Sequence, residues 1–294
     1  MKIKISTALD KGERDNNEDA LVYCADLCQA EWQQDGMEEY VLLGDCGSIA
    51  VVADGMGGAN AGEVASSISI QTIKEVFTPD RASAAIKGGE DTIKSLLSEA
   101  VKQADAAILQ HMANNVETQG MGTTIVICWI TREKAFVAWC GDSRCYSYLP
   151  TEKLKPLTRD HSLVQEMMDK GEITAEEAFS HPDSNVITRG LGDFGCDVRP
   201  DVVVHPIGQN EVLLLCSDGL CGYCEDKSIQ AIMDNSYTDI DQCCNDLLQL
   251  TLGVGGYDNI AIIAISLIDD KQESPNPISF FGSIKRRINR FLTS

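Results

Sequence analysis

Apolar and polar positions change rhythm along the chain, and each rhythm predicts a different element. In residues 1–54, KIKIS alternates, ALVYCA is a short apolar run, and YVLLGD and IAVVAD flank a Gly-containing turn, which predicts strands and turns. Residues 60–77 shift to helical spacing, with Val64, Ile68, Ile73 and Val76 near one face. Residues 91–113 carry a stronger helical pattern, with Ile93, Leu97, Val101 and Ala104 at i, i+4, i+8 and i+11. Three strands are expected at 122–130, 134–140 and 144–149. Residues 156–200 are mixed, with a short helix near SLVQEMMDKG, another at TAEEAF, and loops rich in His, Asp and Gly. A strand pair around 202–205 and 211–217, helices at 226–234 and 238–252, and a strand at 259–268 complete the series. Strands, two helices, strands, two helices and a strand do not make the strict alternation of a parallel doubly wound sheet. The order fits antiparallel sheets covered by helices.

The end of the chain has a different character. Residues 269–279 (DDKQESPNPIS) are polar with two prolines and read as a linker. Residues 280–294 read as a basic amphipathic tail. Lys285, Arg286, Arg287 and Arg290 stand there without an acid, and Phe281, Ile284, Ile288 and Phe291 fall on one helical stripe. This tail is a frayed terminus, a contact to a partner or anionic membrane surface, or a segment that folds back on the acidic body.

Charge narrows the partners. The 294 residues include 45 acidic and 24 basic ones, a formal net charge of −21. A surface this acidic repels nucleic acid and anionic membranes, which excludes a broad DNA- or RNA-binding role. The longest nearly apolar run, 259–268, has 10 residues, about half of the roughly 20 that a membrane-spanning helix needs. The first residues lack a long apolar stretch and a small-residue cleavage site, so no secretory signal is read. The 12 cysteines are irregularly placed, several inside apolar runs, and are expected as reduced thiols in a cytoplasmic protein. Cys221 and Cys224 have Cys-x-x-Cys spacing but no second pair to complete a zinc site.

The chemistry lies in the aspartates. Asp54 (IAVVADGMGG), Asp142 (FVAWCGDSR) and Asp218 (LLLCSDG) each follow an apolar strand, and Asp258 (GGYDN) precedes one. Asp-Gly after a strand is also an ordinary turn signal. Four acids in one context point further, because strand ends side by side bring carboxylates together, and converging carboxylates repel unless a cation neutralises them. Oxygen donors of this kind suit Mg²⁺ or Mn²⁺ rather than Zn²⁺. Near the start, RDNNED offers Arg14, Glu18 and Asp19, either a solvated charged turn or a loop with an anion clamp, since the Arg fork matches a phosphate. In DGMGG, glycines allow positive φ and close approach, so the Gly55 carbonyl can act as a ligand beside Asp54.

RDNNED, VVADGMGG, GTT, CGDSR, LTRDHS, ITRGLG, CSDGL and DN before an apolar strand occur in this order across residues 14–265. The ordered set resembles the metal-dependent protein phosphatase (PPM) family, the type-2C serine/threonine phosphatases, and specifically the bacterial type. Each motif alone is weak; the ordered set is specific and leaves only the tail unexplained.

The resemblance implies an α+β fold: a four-layer α/β/β/α sandwich, two antiparallel sheets flanked by helices, as a catalytic domain over residues 1–268. It implies two Mn²⁺ or Mg²⁺ ions, Asp54 bridging both, the Gly55 carbonyl on one, and Asp218 and Asp258 completing the other. Asp142, with Asp218, would hold a third, weaker ion. Glu18 would act through bound water with Asp19 nearby, and Arg14 would hold the substrate phosphate. The implied reaction is hydrolysis of phosphoserine and phosphothreonine by water activated between the ions, with no protein nucleophile. Phosphorylated proteins are the implied partners, alongside a cognate Ser/Thr kinase or its substrates. Met56 stands where eukaryotic members commonly carry a histidine proposed as the general acid, and bacterial members often share this Met, so the leaving-group proton comes from a metal-bound water or another residue. His161 in RDHS is expected to be structural, and 162–187 matches the family's flap. A catalytically silent phosphoprotein binder and a plain acidic cation binder remain as alternatives.

Overall fold

The computed structural model describes residues 1–57, 61–195 and 198–269. The chain runs β1 (Lys2–Asp10), β2 (Asp19–Cys24), β3 (Trp32–Gln33), β4 (Val41–Leu42), β5 (Ser48–Met56), α1 (Ala61–Val76), α2 (Pro79–Gly88) and α3 (Glu90–Asn114). It continues through β6 (Gly122–Thr123), β7 (Ile125–Ile130), β8 (Lys134–Cys140), β9 (Arg144–Leu149), β10 (Lys153–Pro156), α4 (Leu163–Asp169) and α5 (Ala175–Phe179). The last elements are β11 (Leu191–Gly192), β12 (Asp201–Pro206), β13 (Val212–Cys216), α6 (Asp218–Cys221), α7 (Asp226–Ser236), α8 (Ile240–Gly253) and β14 (Ile260–Ile268).

Among the described residues, the strands form two sheets. One has the order β10-β9-β13-β14-β1-β4. In the other, β11-β6-β5-β7-β8-β12 is extended by β2 and β3 on the far side of β5. The strand pairs in both sheets are antiparallel.

Long strands bury both faces, which is why their sequences read as continuous apolar runs rather than alternating ones. In β14, Ala261, Ile263, Ile265 and Leu267 face the core between the sheets, while Ile260, Ile262 and Ala264 face the layer of α6, α7 and α8. In β5, Ala50 and Val52 join the inter-sheet core, and Ile49, Val51 and Ala53 meet the layer of α1, α2 and α3. Three apolar layers between four layers of structure give the α/β/β/α sandwich.

Three local readings need correction. The segments 202–205 and 211–217 are not partners: β12 pairs with β8 in one sheet and β13 with β9 and β14 in the other. An unanticipated helix, α2, lies between the two expected early ones; Thr78 caps it by accepting from the Arg81 amide, and Pro79 suits its first turn. The cysteines are not all reduced: Cys28 and Cys46 form a disulfide, and nine others are buried free thiols. Sequence spacing gave no cue to that pair, because the loop from 25 to 47 had to fold back before the two met. The Cys221 and Cys224 thiols are buried in the helix-facing core. Residues 270–279 of the expected linker, and the tail 280–294, lie outside the described residues.

Candidate active site

Both sheets contribute to one edge of the sandwich. Asp19 opens β2 directly opposite Asp54 in β5. The Asp54 carbonyl accepts from the Thr124 amide (2.8 Å) and the Thr123 hydroxyl (2.9 Å), and its own amide donates to Thr124 Oγ1 (3.2 Å). Thr124 Oγ1 in turn meets Ser143 Oγ at 2.7 Å, so the GTT segment ties Asp54 to the loop of Asp142. Gly55 lies flat against α1: a Cβ there would overlap the Gly62 carbonyl. The α1 face that makes this approach is built from Gly62, Ala65, Ser66 and Ser69 as well as Ile70, Ile73 and Val76, whereas Val64 and Ile68 pack at its margin.

The other sheet supplies Asp218 and Asp258. Gly219 packs on the Asn259 carbonyl with no room for a Cβ, which draws the start of α6 against the start of β14. Ser217 Oγ donates to Asp19 Oδ2 (2.6 Å) and accepts from the Ala261 amide (2.9 Å), stitching the two sheets together. Asn259 Oδ1 accepts from the Glu18 amide (2.7 Å), and its Nδ2 donates to the carbonyls of Lys11 (3.0 Å) and Asn16 (2.8 Å). Ser217 and Asn259 are thus positioning residues that the sequence reading left without a role. Each adjoins a candidate aspartate, and that adjacency was the available signal.

Arg14 spans the mouth. Its Nη2 donates to Asp258 Oδ2 (2.8 Å) and its Nε to the Tyr257 carbonyl (3.1 Å). Asp258 helps hold the guanidinium above its usual pKa, outweighing the lowering from burial. Glu18 stands between Arg14, Asp258 and Glu63, and burial raises its pKa.

Asp19 and Asp142 are buried, and Asp54 and Asp218 half-buried. Burial is the largest cause raising the pKa of all four, and their neighbouring carboxylates push in the same direction. Asp218 is among the carboxylates whose charge pushes Asp54 up. Arg144 lies near Asp142 but is committed to Asp160 (Nε–Oδ1 2.8 Å, Nη2–Oδ2 2.7 Å) and to the Tyr146 hydroxyl (2.9 Å). The structure therefore brings Asp19, Asp54, Asp142, Asp218 and Asp258 to one edge, with Arg14, among the described residues, the cation bonded to that group through Asp258.

Among the described residues, no three His, Cys, Asp or Glu side chains frame a metal position directly. The fit to a cation rests on donor chemistry: oxygen atoms only, crowded carboxylates that raise one another's pKa, and no ammonium or imidazolium among them. Hard divalent ions match that set.

His161 serves a different purpose. Its Nδ1 accepts from the Gly141 amide (3.1 Å), its Nε2 faces Asp201 Oδ2 (3.1 Å), and its ring stacks on Trp139. Burial lowers its pKa. It fixes the turn at Gly141, whose φ of 122° precedes Asp142. The segment 162–187, which the resemblance matches to the family's flap, begins and ends at a neck: Ser162 bridges Ile187, and the Leu163 amide donates to the Val186 carbonyl. Beneath it, a cleft of ≈ 770 Å³ runs from Asp142 and Asp218 past Val164, Met168 and Phe179 to Tyr223.

Comparison with known proteins agrees with this fold. A family model described as Protein phosphatase 2C matches residues 28–243. The chain is 33% identical over 217 residues to the serine/threonine phosphatase stp of Listeria monocytogenes serotype 4b (strain F2365), covering 74% of this chain and 83% of that protein. It is 31% identical over 230 residues to the serine/threonine protein phosphatase PstP of Mycobacterium tuberculosis (strain ATCC 25618 / H37Rv), which spans 78% of this chain and 42% of that longer protein. The crystal structure of the M. tuberculosis serine/threonine phosphatase PstP/Ppp superposes with a TM-score of 0.75 at 28% identity, covering 92% of this chain and 100% of that one. The PstP catalytic domain solved in complex with two manganese ions gives 0.71 at 26% identity, covering 91% and 99%.

The chain belongs to the protein phosphatase 2C family. It is a serine/threonine protein phosphatase, a hydrolase of phosphoprotein monoesters.

Proposed function

We propose that the acidic edge is the catalytic centre and that it works with two divalent ions, Mn²⁺ or Mg²⁺, held by Asp54, the Gly55 carbonyl, Asp218 and Asp258. A third, weaker position lies between Asp142 and Asp218. The observation that carries the reading is the convergence of five aspartates from both sheets on a site whose bonded cation is Arg14. Bound there, hard divalent ions lower the pKa of water to near neutrality and neutralise phosphoryl charge.

The chain's own residues do the rest. Asp54 and Asp218, whose backbones are held by Thr124 and by the packing of Gly219, would present their carboxylate oxygens to the ions. Arg14, anchored by Asp258 and the Tyr257 carbonyl, presents its charge to the phosphoryl oxygens and favours the more charged transition state. Glu18 and Asp19 accept hydrogen bonds from water at the inner wall. The proton for the departing serine or threonine oxygen comes from water: Met56 cannot donate one, and both His161 nitrogens are already engaged. Phosphorylated products of a cognate Ser/Thr kinase, reached in the cytoplasm, are the proposed substrates.

The test is manganese-dependent hydrolysis of p-nitrophenyl phosphate and a phosphothreonine peptide. Wild-type turnover should be abolished by chelation and restored by Mn²⁺. Calorimetry should find two Mn²⁺ sites, and Asp54→Asn should weaken both while its circular dichroism stays native. Turnover that persists in chelator would overturn the proposal.

A further inference from the structure

Two tyrosines flank the site, and neither the family reading nor the metal chemistry uses their rings. Tyr257 precedes Asp258, and Tyr223 stands in the segment after α6 on the cleft wall. Their ring centroids are 5.9 Å apart with planes tilted by 44°. Both remain open to solvent, 61% for Tyr257 and 37% for Tyr223. The placement is built in: the Tyr257 ring lies over Gly255, whose φ of 130° and missing Cβ make the room it occupies.

The turn beneath the rings is locked to the Arg14 loop. Gly12 fits against the carbonyls of Gly256 and Asp258, and the Glu13 amide donates to Gly256 O at 2.8 Å. Along the chain, exposed Glu13 and Asp15 flank Arg14, and exposed Glu225, paired with Lys227 (2.7 Å), and Asp226, which accepts from the Tyr146 hydroxyl (2.9 Å), follow Tyr223. Two open aromatic rings, on segments that also carry exposed carboxylates and on a chain of net charge −21, favour a cation. With the Arg14 guanidinium beside Tyr223 and committed to the phosphoryl group, a second cation at the rings would belong to the substrate itself.

We infer that Tyr223 and Tyr257 form a specificity pocket for an arginine or lysine side chain adjoining the phosphoserine or phosphothreonine of the substrate. The inference rests on the phosphatase reading above and deepens it. The guanidinium or ammonium lies on the ring faces while the outer carboxylates attract it, so basic phosphopeptides bind more tightly without a change at the reacting phosphorus. Phosphopeptides with acidic neighbours are disfavoured by the same carboxylates.

The test uses phosphoserine peptides of one length, flanked on both sides by Arg, Ala or Leu, with Mn²⁺-loaded full-length protein. The Arg peptide should exceed the Ala peptide in kcat/KM by about fivefold, mostly through KM. The ratio should fall to near one in Tyr257→Ala and Tyr223→Ala and persist in Tyr257→Phe, which keeps the ring. A wild-type ratio near one, an equal preference for Leu, or a ratio unchanged in both alanine variants would overturn the pocket. Hydrolysis of the Ala peptide reports separately on the phosphatase reading. Were no peptide hydrolysed, phosphonate versions of the Arg and Ala peptides, compared by fluorescence anisotropy, would decide the same ratio.

Discussion

The sandwich buries carboxylates at two places, and it treats them in opposite ways. Glu211, in the turn before β13, has a fully buried side chain, yet its oxygens accept from His205 Nε2, the Ser147 hydroxyl and the Gly208 amide (2.6 Å). Burial alone would raise its pKa, but those hydrogen bonds outweigh it and hold the group below its ordinary value. At the acidic edge, Asp19, Asp54, Asp142 and Asp218 are pushed up by burial and by one another. One site is complete in the chain itself; the other, on the function proposed above, is completed by ions from outside. The first contributes to folding stability, whereas the second lowers it in exchange for a function.

Asp54→Asn should produce the largest effect. Manganese-supported kcat on a phosphopeptide should fall on the order of a thousandfold, measured with excess Mn²⁺. The metal-free protein should remain as stable as wild type in urea, because a repelling charge has gone. Marked destabilisation of that metal-free variant would break the contrast.

Glu211→Ala should do the reverse. It leaves three donors without an acceptor in a buried place, and unfolding in urea should show a loss of about 3 kcal/mol. Turnover per folded molecule should be unchanged. Each ion taken singly should have a slightly smaller effect: Mn²⁺ at a hundredfold excess over its dissociation constant should add about 2.7 kcal/mol per site, read as a rise in Tm and reversed by chelator. Glu211→Ala should show the same rise, since its site takes no ion.

The smallest effect is a pH slope. A carboxyl held below its ordinary value contributes stability above the unfolded-state pKa, and that contribution disappears as pH falls through the folded value. Wild type should therefore lose more stability than Glu211→Gln as pH falls below the ordinary carboxylate range, measured in chelator by denaturant titration. Parallel pH profiles for the two proteins would show that Glu211 is not held as described.

Much of this was legible in the sequence, for reasons tied to particular residues. The apolar runs of β5, β7, β8 and β14 announce strands covered on both faces, and Asp54, Asp142, Asp218 and Asp258 stand out because acids interrupt those runs. The positioning shell was harder to see. Ser217 and Asn259 act across 198 and 241 positions of chain, on Asp19 and Glu18 respectively, and no local rhythm encodes such a contact. The 202–205 and 211–217 segments look like a hairpin because a short turn joins them. Their faces belong to different layers, and only the packing of both sheets reveals it. The small residues of α1 were undervalued for a similar reason: Gly62 and Ser66 matter because β2 and β5 come close, not because they are apolar.

The flap joins the sandwich through a narrow neck, a single bridge from Ser162 to Ile187 supported by the Leu163 amide on Val186. An excursion closed off at its root can be lengthened, shortened or exchanged as a cassette while the hydrolytic edge keeps its geometry. Related chains could thus acquire new clients by swapping that one segment, and a chimera bearing another member's cassette should fold around the same carboxylates.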